Sequence, residues 1–144
     1  MKSQVRQEEE NRRFMETLNR HEIDMNDFYR SPHPGYIIAM HNEMLLLANN
    51  AALKANQKTL DQFVGENAAT LNFPEEFEQR KRLLRMDGKL TNYEYKAMNW
   101  YKDGKDWRRK KMNFVADIQL IEFGGITCRL GIDLMAEETN RFVD

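Results

Sequence analysis

Apolar and polar positions alternate most regularly between residues 90 and 133, and the rest of the chain is arranged around that stretch. Three strand-like runs lie there, LTNYEYKAMNWY, DWRRKKMNFVADIQL and GITCRLGID, separated by Lys102-Asp103-Gly104-Lys105 and Phe123-Gly124-Gly125. Asp-Gly and Gly-Gly between aromatic and β-branched residues predict tight hairpins, because such turns need the positive φ that glycine adopts freely. The expected product is a three-stranded antiparallel meander. Period-two alternation nominates one face of it: Met112, Phe114, Ala116 and Ile118, then Ile126, Cys128, Leu130 and Ile132, with Tyr93, Tyr95 and Ala97 on the preceding strand. That apolar set is taken as the inward face.

Upstream, residues 2–28 read as a helix. Glu8 and Glu9 precede Arg12 and Arg13 by one turn, which favours a solvated charged face. Phe14, Leu18, His21, Met25 and Phe28 then form a heptad-like seam, expected to pack on the domain or on a second copy of itself. Ser31-Pro32-His33-Pro34-Gly35 stops the helix. Two short apolar runs, YIIAM and MLLLA, flank the polar turn His41-Asn42-Glu43 and predict a second hairpin. Both runs are apolar on both faces, so something must cover the outer side of the sheet. The N-terminal seam is the candidate.

Asn49-Asn50 opens a short helical turn, where Asn50 serves as a cap or as a polar group of a pocket. Short helices and loops follow over residues 56–73, with Leu60 and Phe63 buried. Pro74-Glu75-Glu76 starts a longer helix, since proline fits the first turn and glutamates favour the positive end of the dipole. Phe77 and Leu84 share its buried face, Arg80, Lys81, Arg82 and Arg85 are assigned to the solvent side, and Asp87-Gly88 ends it.

Composition narrows the class. A chain of 144 residues is one domain with extensions, able to bury roughly 68–70% of its unfolded surface. A net charge of −1 argues against a dedicated nucleic-acid binder. One cysteine excludes an internal disulfide framework and fits a reducing compartment. No apolar run reaches the roughly 18 residues of a membrane span, and the Glu/Arg-rich N-terminus is unlike a signal peptide. A cytoplasmic protein is expected.

Helix, two strands, short helices, a longer helix and a meander describe an α+β domain with one antiparallel sheet and helices across one face. This order, and residues at its joints, resemble the PAS domain family from Phe28 to Glu138. The segment Phe28-Tyr29-Arg30-Ser31-Pro32 resembles the family's lead into its first strand, and Asn50-Ala51-Ala52 its Asn-x-Ala element. Phe63-Val64-Gly65-Glu66, Asp87-Gly88-Lys89-Leu90-Thr91-Asn92-Tyr93-Glu94 and Lys102-Asp103-Gly104-Lys105-Asp106-Trp107 resemble later joints. Asp133-Leu134-Met135 is similar to its exit element, with Met135 where Thr or Ser is usual. The resemblance implies a flanking and dimerisation helix over 1–27, a five-stranded PAS domain over 28–134, and the start of a C-terminal linker helix over 135–144. It also implies a ligand pocket between the sheet and the central helices, here formed by Asn50, Phe63, Phe77, Leu84, Tyr95, Phe114 and Cys128.

The chemistry-bearing residues are sparse. His21, His33 and His41 have no zinc-ligand spacing, and no metal site is expected. No nucleophile elbow or phosphate loop is present, and no catalytic residue is assigned. Haem-binding PAS members offer an axial histidine on the long helix, which here has none. Light-sensing members need a cysteine in an Asn-Cys-Arg-Phe motif, whereas Cys128 lies in the last strand. No cofactor is therefore expected, haem and photoreactive flavin included. The resulting expectation is a cytoplasmic PAS sensory or regulatory domain. It would pair as a homodimer through Phe14, Leu18, His21 and Met25, hold a small apolar ligand, and serve an attached or separate kinase, cyclase or regulator. The rival expectation is a ligand-free dimerisation module.

Overall fold

The computed structural model describes residues 25–142. Helix α1 (Met25–Arg30) leads into β1 (Gly35–Ala39) and β2 (Leu45–Ala48). Three short elements follow: α2 (Asn50–Asn56), α3 (Leu60–Phe63) and a 3-10 turn (Ala68–Leu71). Helix α4 (Pro74–Asp87) then precedes β3 (Lys89–Asp103), β4 (Asp106–Phe123) and β5 (Ile126–Phe142). The strands form one antiparallel sheet in the order β2-β1-β5-β4-β3. The two meander hairpins close at Gly104 (φ 63°) and at Gly124 and Gly125 (φ 58° and 78°), where glycine relieves the Cβ clash of the left-handed region.

Material lies on both faces of the sheet, across the inner face and over the β1–β5 part of the outer one. On one side α2, α3, the 3-10 turn and α4 lie across it. Leu84 of α4 packs with Leu90, Ala116, Ile118 and Leu120, and Phe63 of α3 packs with Leu45, Ala48 and Ala52. On the other side Phe28 of α1 is buried with Ile37, Ala39, Ile121, Cys128 and Leu130, with Met25 packed against them. The described end of the N-terminal segment thus caps the outer face. Phe14, Leu18 and His21 lie outside the described residues.

Asn49 joins these layers. Its side chain accepts from the N–H groups of Gly35 and Ala52, each at 2.9 Å, and donates to the carbonyls of Phe28 and His33, each at 2.9 Å. It is fully buried, whereas Asn50 is exposed. The capping asparagine is therefore Asn49, one residue before the expected one. Beside it, Gly35 cannot carry a side chain: a Cβ would lie 2.8 Å from Ile132 Cδ1, 2.8 Å from Phe28 Cε2 and 2.9 Å from Asn49 Nδ2.

The chain end also departs from expectation. Residues 135–142, expected to begin a helix, continue β5 and pair with the first half of β4, as in Val115 with Met135, Phe114 with Ala136 and Met112 with Glu138. The long β3–β4 hairpin leaves a row of unpaired backbone groups on β4, and satisfying that row outweighs the local helix preference of Ala-Glu-Glu.

Candidate functional site

A cavity of about 80 Å³ lies between the inner sheet face and the helices. Its wall includes Tyr36 and Ile38 of β1, Phe63 of α3, Arg80 of α4, Tyr95 of β3, Phe114 and Ile118 of β4, and Arg129, Gly131 and Asp133 of β5. The register explains this set. Tyr36 pairs with Gly131, Ile38 with Arg129, Gly131 with Ile118 and Asp133 with Ala116, and residues paired across strands share a face.

The inner face of β5 is therefore Arg129, Gly131 and Asp133. Cys128, Leu130 and Ile132, assigned inward by their apolar character, face the α1 side instead. Cys128 is fully buried there, and burial pushes its thiol pKa up. Of the residues assigned to a pocket, Phe63, Tyr95 and Phe114 line the cavity. Phe77 and Leu84 are buried beside it without lining it, and Asn50 is on the surface.

The polar side chains at the cavity are almost fully buried: Arg129 and Asp133 are each 4% exposed and Arg80 is 6% exposed. Arg80 and Lys81 are not on the solvent side of α4. They follow Phe77 by three and four residues and precede Leu84 by four and three, which places all four on one helical stripe. Burying charge is tolerated only with partners, and these have them. Arg129 Nη1 donates to Glu43 Oε2 at 2.6 Å, while Lys81 Nζ reaches Glu43 Oε1 at 3.3 Å. Arg80 Nη2 donates to Glu76 Oε1 at 2.9 Å and also to Asn72 Oδ1. The guanidinium of Arg80 stacks 4.0 Å from the Tyr95 ring centre and 5.2 Å from that of Phe77, and Arg129 lies 5.1 Å from the same phenylalanine.

Asp133 differs from the other buried acids. Among the described residues its side chain has one partner, the Tyr95 hydroxyl, which donates to Oδ1 at 2.9 Å. Desolvation pushes its pKa up to about 7, with the Tyr95 hydrogen bond and the nearby Arg80 charge opposing the rise. Burial, reinforced by the Asp133 charge, likewise holds the Tyr95 and Tyr36 phenols well above their usual value. Tyr36 accepts a 3.1 Å hydrogen bond from Asn56 Nδ2, and Asn56 Oδ1 accepts from the Trp100 N–H at 2.9 Å, which fixes α2 against β1 and β3. Glu66, also on the wall, is held by Lys58 at 2.6 Å and by Trp100 Nε1 at 3.1 Å.

Among the described residues, neither histidine nor cysteine is part of this wall. Among the described residues, no cluster of three or more His, Cys, Asp or Glu side chains is placed to hold a metal ion. Among the same residues, no helix is long and apolar enough to cross a membrane.

The architecture has many counterparts among solved structures. The chain is similar to the PAS domain of a two-component sensor histidine kinase, at 11% identity and a TM-score of 0.53, over 77% of this chain and 88% of that one. It is similar to the PAS domain of a protein from Colwellia psychrerythraea, at 14% identity and a TM-score of 0.53, over 76% of this chain and 90% of that one. A third is the PAS domain of nitrogen regulation protein NR(II) from Vibrio parahaemolyticus, at 9% identity and a TM-score of 0.52, over 82% and 99% of the two chains. No protein-family model and no curated protein sequence matches the chain. The five-stranded antiparallel sheet with helices across one face is a PAS fold.

Proposed function

We propose that this PAS fold is a sensory domain that holds a small molecule in the cavity between its sheet and its central helices. The observation that carries this reading is the cavity's wall. Arg80, Arg129 and Asp133 are each more than nine-tenths buried, yet each keeps polar atoms without a partner among the described residues. Among the described residues, the only fully sealed side-chain polar atom without a partner is Asn113 Oδ1. The unpartnered atoms of the three wall residues therefore border open space rather than packed protein. A core built only for packing would close such space with apolar side chains.

The route outward starts at the same strand. Asp133, with its carboxyl at the cavity, donates its backbone N–H to the Pro34 carbonyl at 2.8 Å. The next position, Gly35, touches Ile132, Phe28 and Asn49 at once. A shift of β5 on ligand binding would thus move α1 and the N-terminal segment, which we assign to pairing with a second copy and to passing the signal to an attached or separate output domain. Sedimentation tests the pairing: removing residues 1–27 should convert a dimer to a monomer, and a full-length monomer would remove this part of the reading.

The second reading is a ligand-free pairing module of the same fold, favoured by the cavity's modest volume, which lies well below the roughly 300–1,000 Å³ of pockets for drug-sized ligands. Native mass spectrometry and the absorbance spectrum of freshly purified protein separate the two. One small molecule bound per chain supports the sensor, and a mass equal to the chain alone supports the module.

A further inference from the structure

Gly131 stands between Arg129 and Asp133 on the inner face of β5, and neither backbone nor packing requires a glycine there. It is absent from the positive-φ positions, and an added Cβ would meet nothing closer than Ile118 Cγ1 at 4.0 Å. This contrasts with Gly35, where three heavy atoms stand within 3 Å of the same added carbon. What a side chain at 131 would occupy is the cavity itself, whose wall Gly131 forms. The missing side chain leaves a bare patch of sheet between a cation and an acid.

The groups bordering that patch have complementary vacancies. Arg129 uses Nη1 for Glu43 and Met40, and among the described residues nothing accepts from its Nε or Nη2. Arg80 uses Nε and Nη2, which leaves Nη1 without an acceptor among the described residues. Asp133 uses Oδ1, and among the described residues no group donates to its Oδ2. Donors therefore stand at one part of the wall and an acceptor at another.

Charge decides the class of molecule that fits. Each cation is already matched: Arg129 by Glu43, Arg80 by Glu76 and Lys58 by Glu66. An anion would find the wall's cations already matched, and a cation would reach Asp133 only in the field of the nearby Arg80 charge, so either would be buried with its charge incompletely compensated. A neutral ligand can use the free Arg donors with a carbonyl and the free carboxyl oxygen with a hydroxyl or amide N–H. Because burial pushes the Asp133 pKa up to about 7, both the carboxylate and the acid are present near neutral pH, and a hydroxyl suits both, since it can donate to the first or accept from the second.

We propose that the cavity takes a small, uncharged hydroxy-amide-type molecule, with its carbonyl toward Arg80 and Arg129 and its hydroxyl toward Asp133 over the bare surface of Gly131. This rests on the sensory reading above and specifies the chemistry of its ligand. The size matches, because about 80 Å³ has room for a few waters or an equally small organic molecule.

The test is a titration of the whole chain followed by NMR at the Gly131 amide, with four probes of similar size: glycolamide, glycolate, ethanolamine and toluene. Glycolamide should shift that signal saturably and bind at least about tenfold more tightly than glycolate or ethanolamine, with toluene inert. Gly131→Ala should weaken glycolamide binding by a similar factor while its spectrum remains that of a folded domain. The wild-type titration decides the ligand class without the variant, and a variant that folds poorly would itself count against open space at Gly131. Equal or tighter binding of the charged probes or of toluene overturns the neutral polar class and leaves the sensory reading intact. Undiminished binding to a folded Gly131→Ala places the site elsewhere and overturns the proposal. No response to any probe also overturns it. If native mass spectrometry then shows only the bare chain, the sensory reading falls with it.

Discussion

The Tyr95 hydroxyl reaches across β4 to donate a 2.9 Å hydrogen bond to Oδ1 of Asp133 on β5. The intervening position, Ala116, pairs directly with Asp133 and presents only a methyl group, which leaves the tyrosine its path. Among the described residues, Tyr95 is the sole partner of this side chain, and burial pushes the acid's pKa up to about 7 from an ordinary value near 4. Polar chemistry in this fold is thus concentrated on β5, the strand that also contacts the N-terminal helix.

The raised pKa fixes the sign of a pH effect. The folded state holds the Asp133 proton more tightly than the unfolded chain, so this contribution to stability is complete below pH about 4 and is lost as pH rises through about 7. Between pH 5 and pH 8 the wild type should lose about 2–3 kcal/mol relative to Asp133→Asn, which has no such proton. Urea unfolding of both proteins at the two pH values measures the difference. Parallel profiles would show that the acid is ordinary.

Tyr95→Phe should destabilise by about 1–3 kcal/mol, and by more at pH 8 than at pH 5, because the lost bond is stronger to a carboxylate than to a carboxylic acid. It should also raise the Asp133 pKa further, since the hydroxyl opposes the rise. Following the Asp133 carboxyl carbon by NMR across the titration checks this. A fall in that pKa would contradict the assignment.

Much of the frame is legible in the sequence, and the failures share a cause. The hairpins at Gly104 and Gly124-Gly125 follow from local turn chemistry, and the inward Phe114 and Tyr95 follow from period-two alternation. The parity of β5 does not, because the rule that apolar side chains face inward presumes a single covered face. Here α1 covers the outer face, so Cys128 and Leu130 find apolar neighbours there and Arg129 and Asp133 are left inside. Arg80 and Lys81 were readable from their spacing between Phe77 and Leu84, but their charge argued for solvent. Their burial is made tolerable by acids on the same helix, Glu76 for Arg80 and Glu78 for Lys81, and by the tertiary partner Glu43, which no local pattern announces. The strand over 135–142 has no local signal, since its pairing partner on β4 determines it.

Asn49→Ala should cost about 3 kcal/mol or more, because four hydrogen bonds are lost at a fully buried position and several backbone groups are left unpaired. Asn50→Ala, on the surface one residue later, should lie within about 0.5 kcal/mol of wild type. Thermal and urea unfolding of the pair locate the joint. Equal effects would mean that the two asparagines share the role.

Arg129→Met strands Glu43 with only the lysine contact at 3.3 Å and should destabilise by about 3–5 kcal/mol. The double variant Arg129→Met/Glu43→Gln should be more stable than the sum of the single effects, because it removes both buried charges together. A double-mutant cycle by urea unfolding reads the coupling, and strict additivity would argue against a buried ion pair.

The central claim is that the space under Gly131 is open by construction. The most direct measurement is the unfolding free energy of Gly131→Ala against wild type, both refolded from urea so that no co-purified molecule remains. The account predicts a variant at least as stable as wild type, by up to about 1 kcal/mol, since alanine loses less chain entropy than glycine and its methyl enters empty space. A variant destabilised by more than about 1 kcal/mol would show that the methyl meets packed atoms, and that the cavity on which the sensory reading rests is not there.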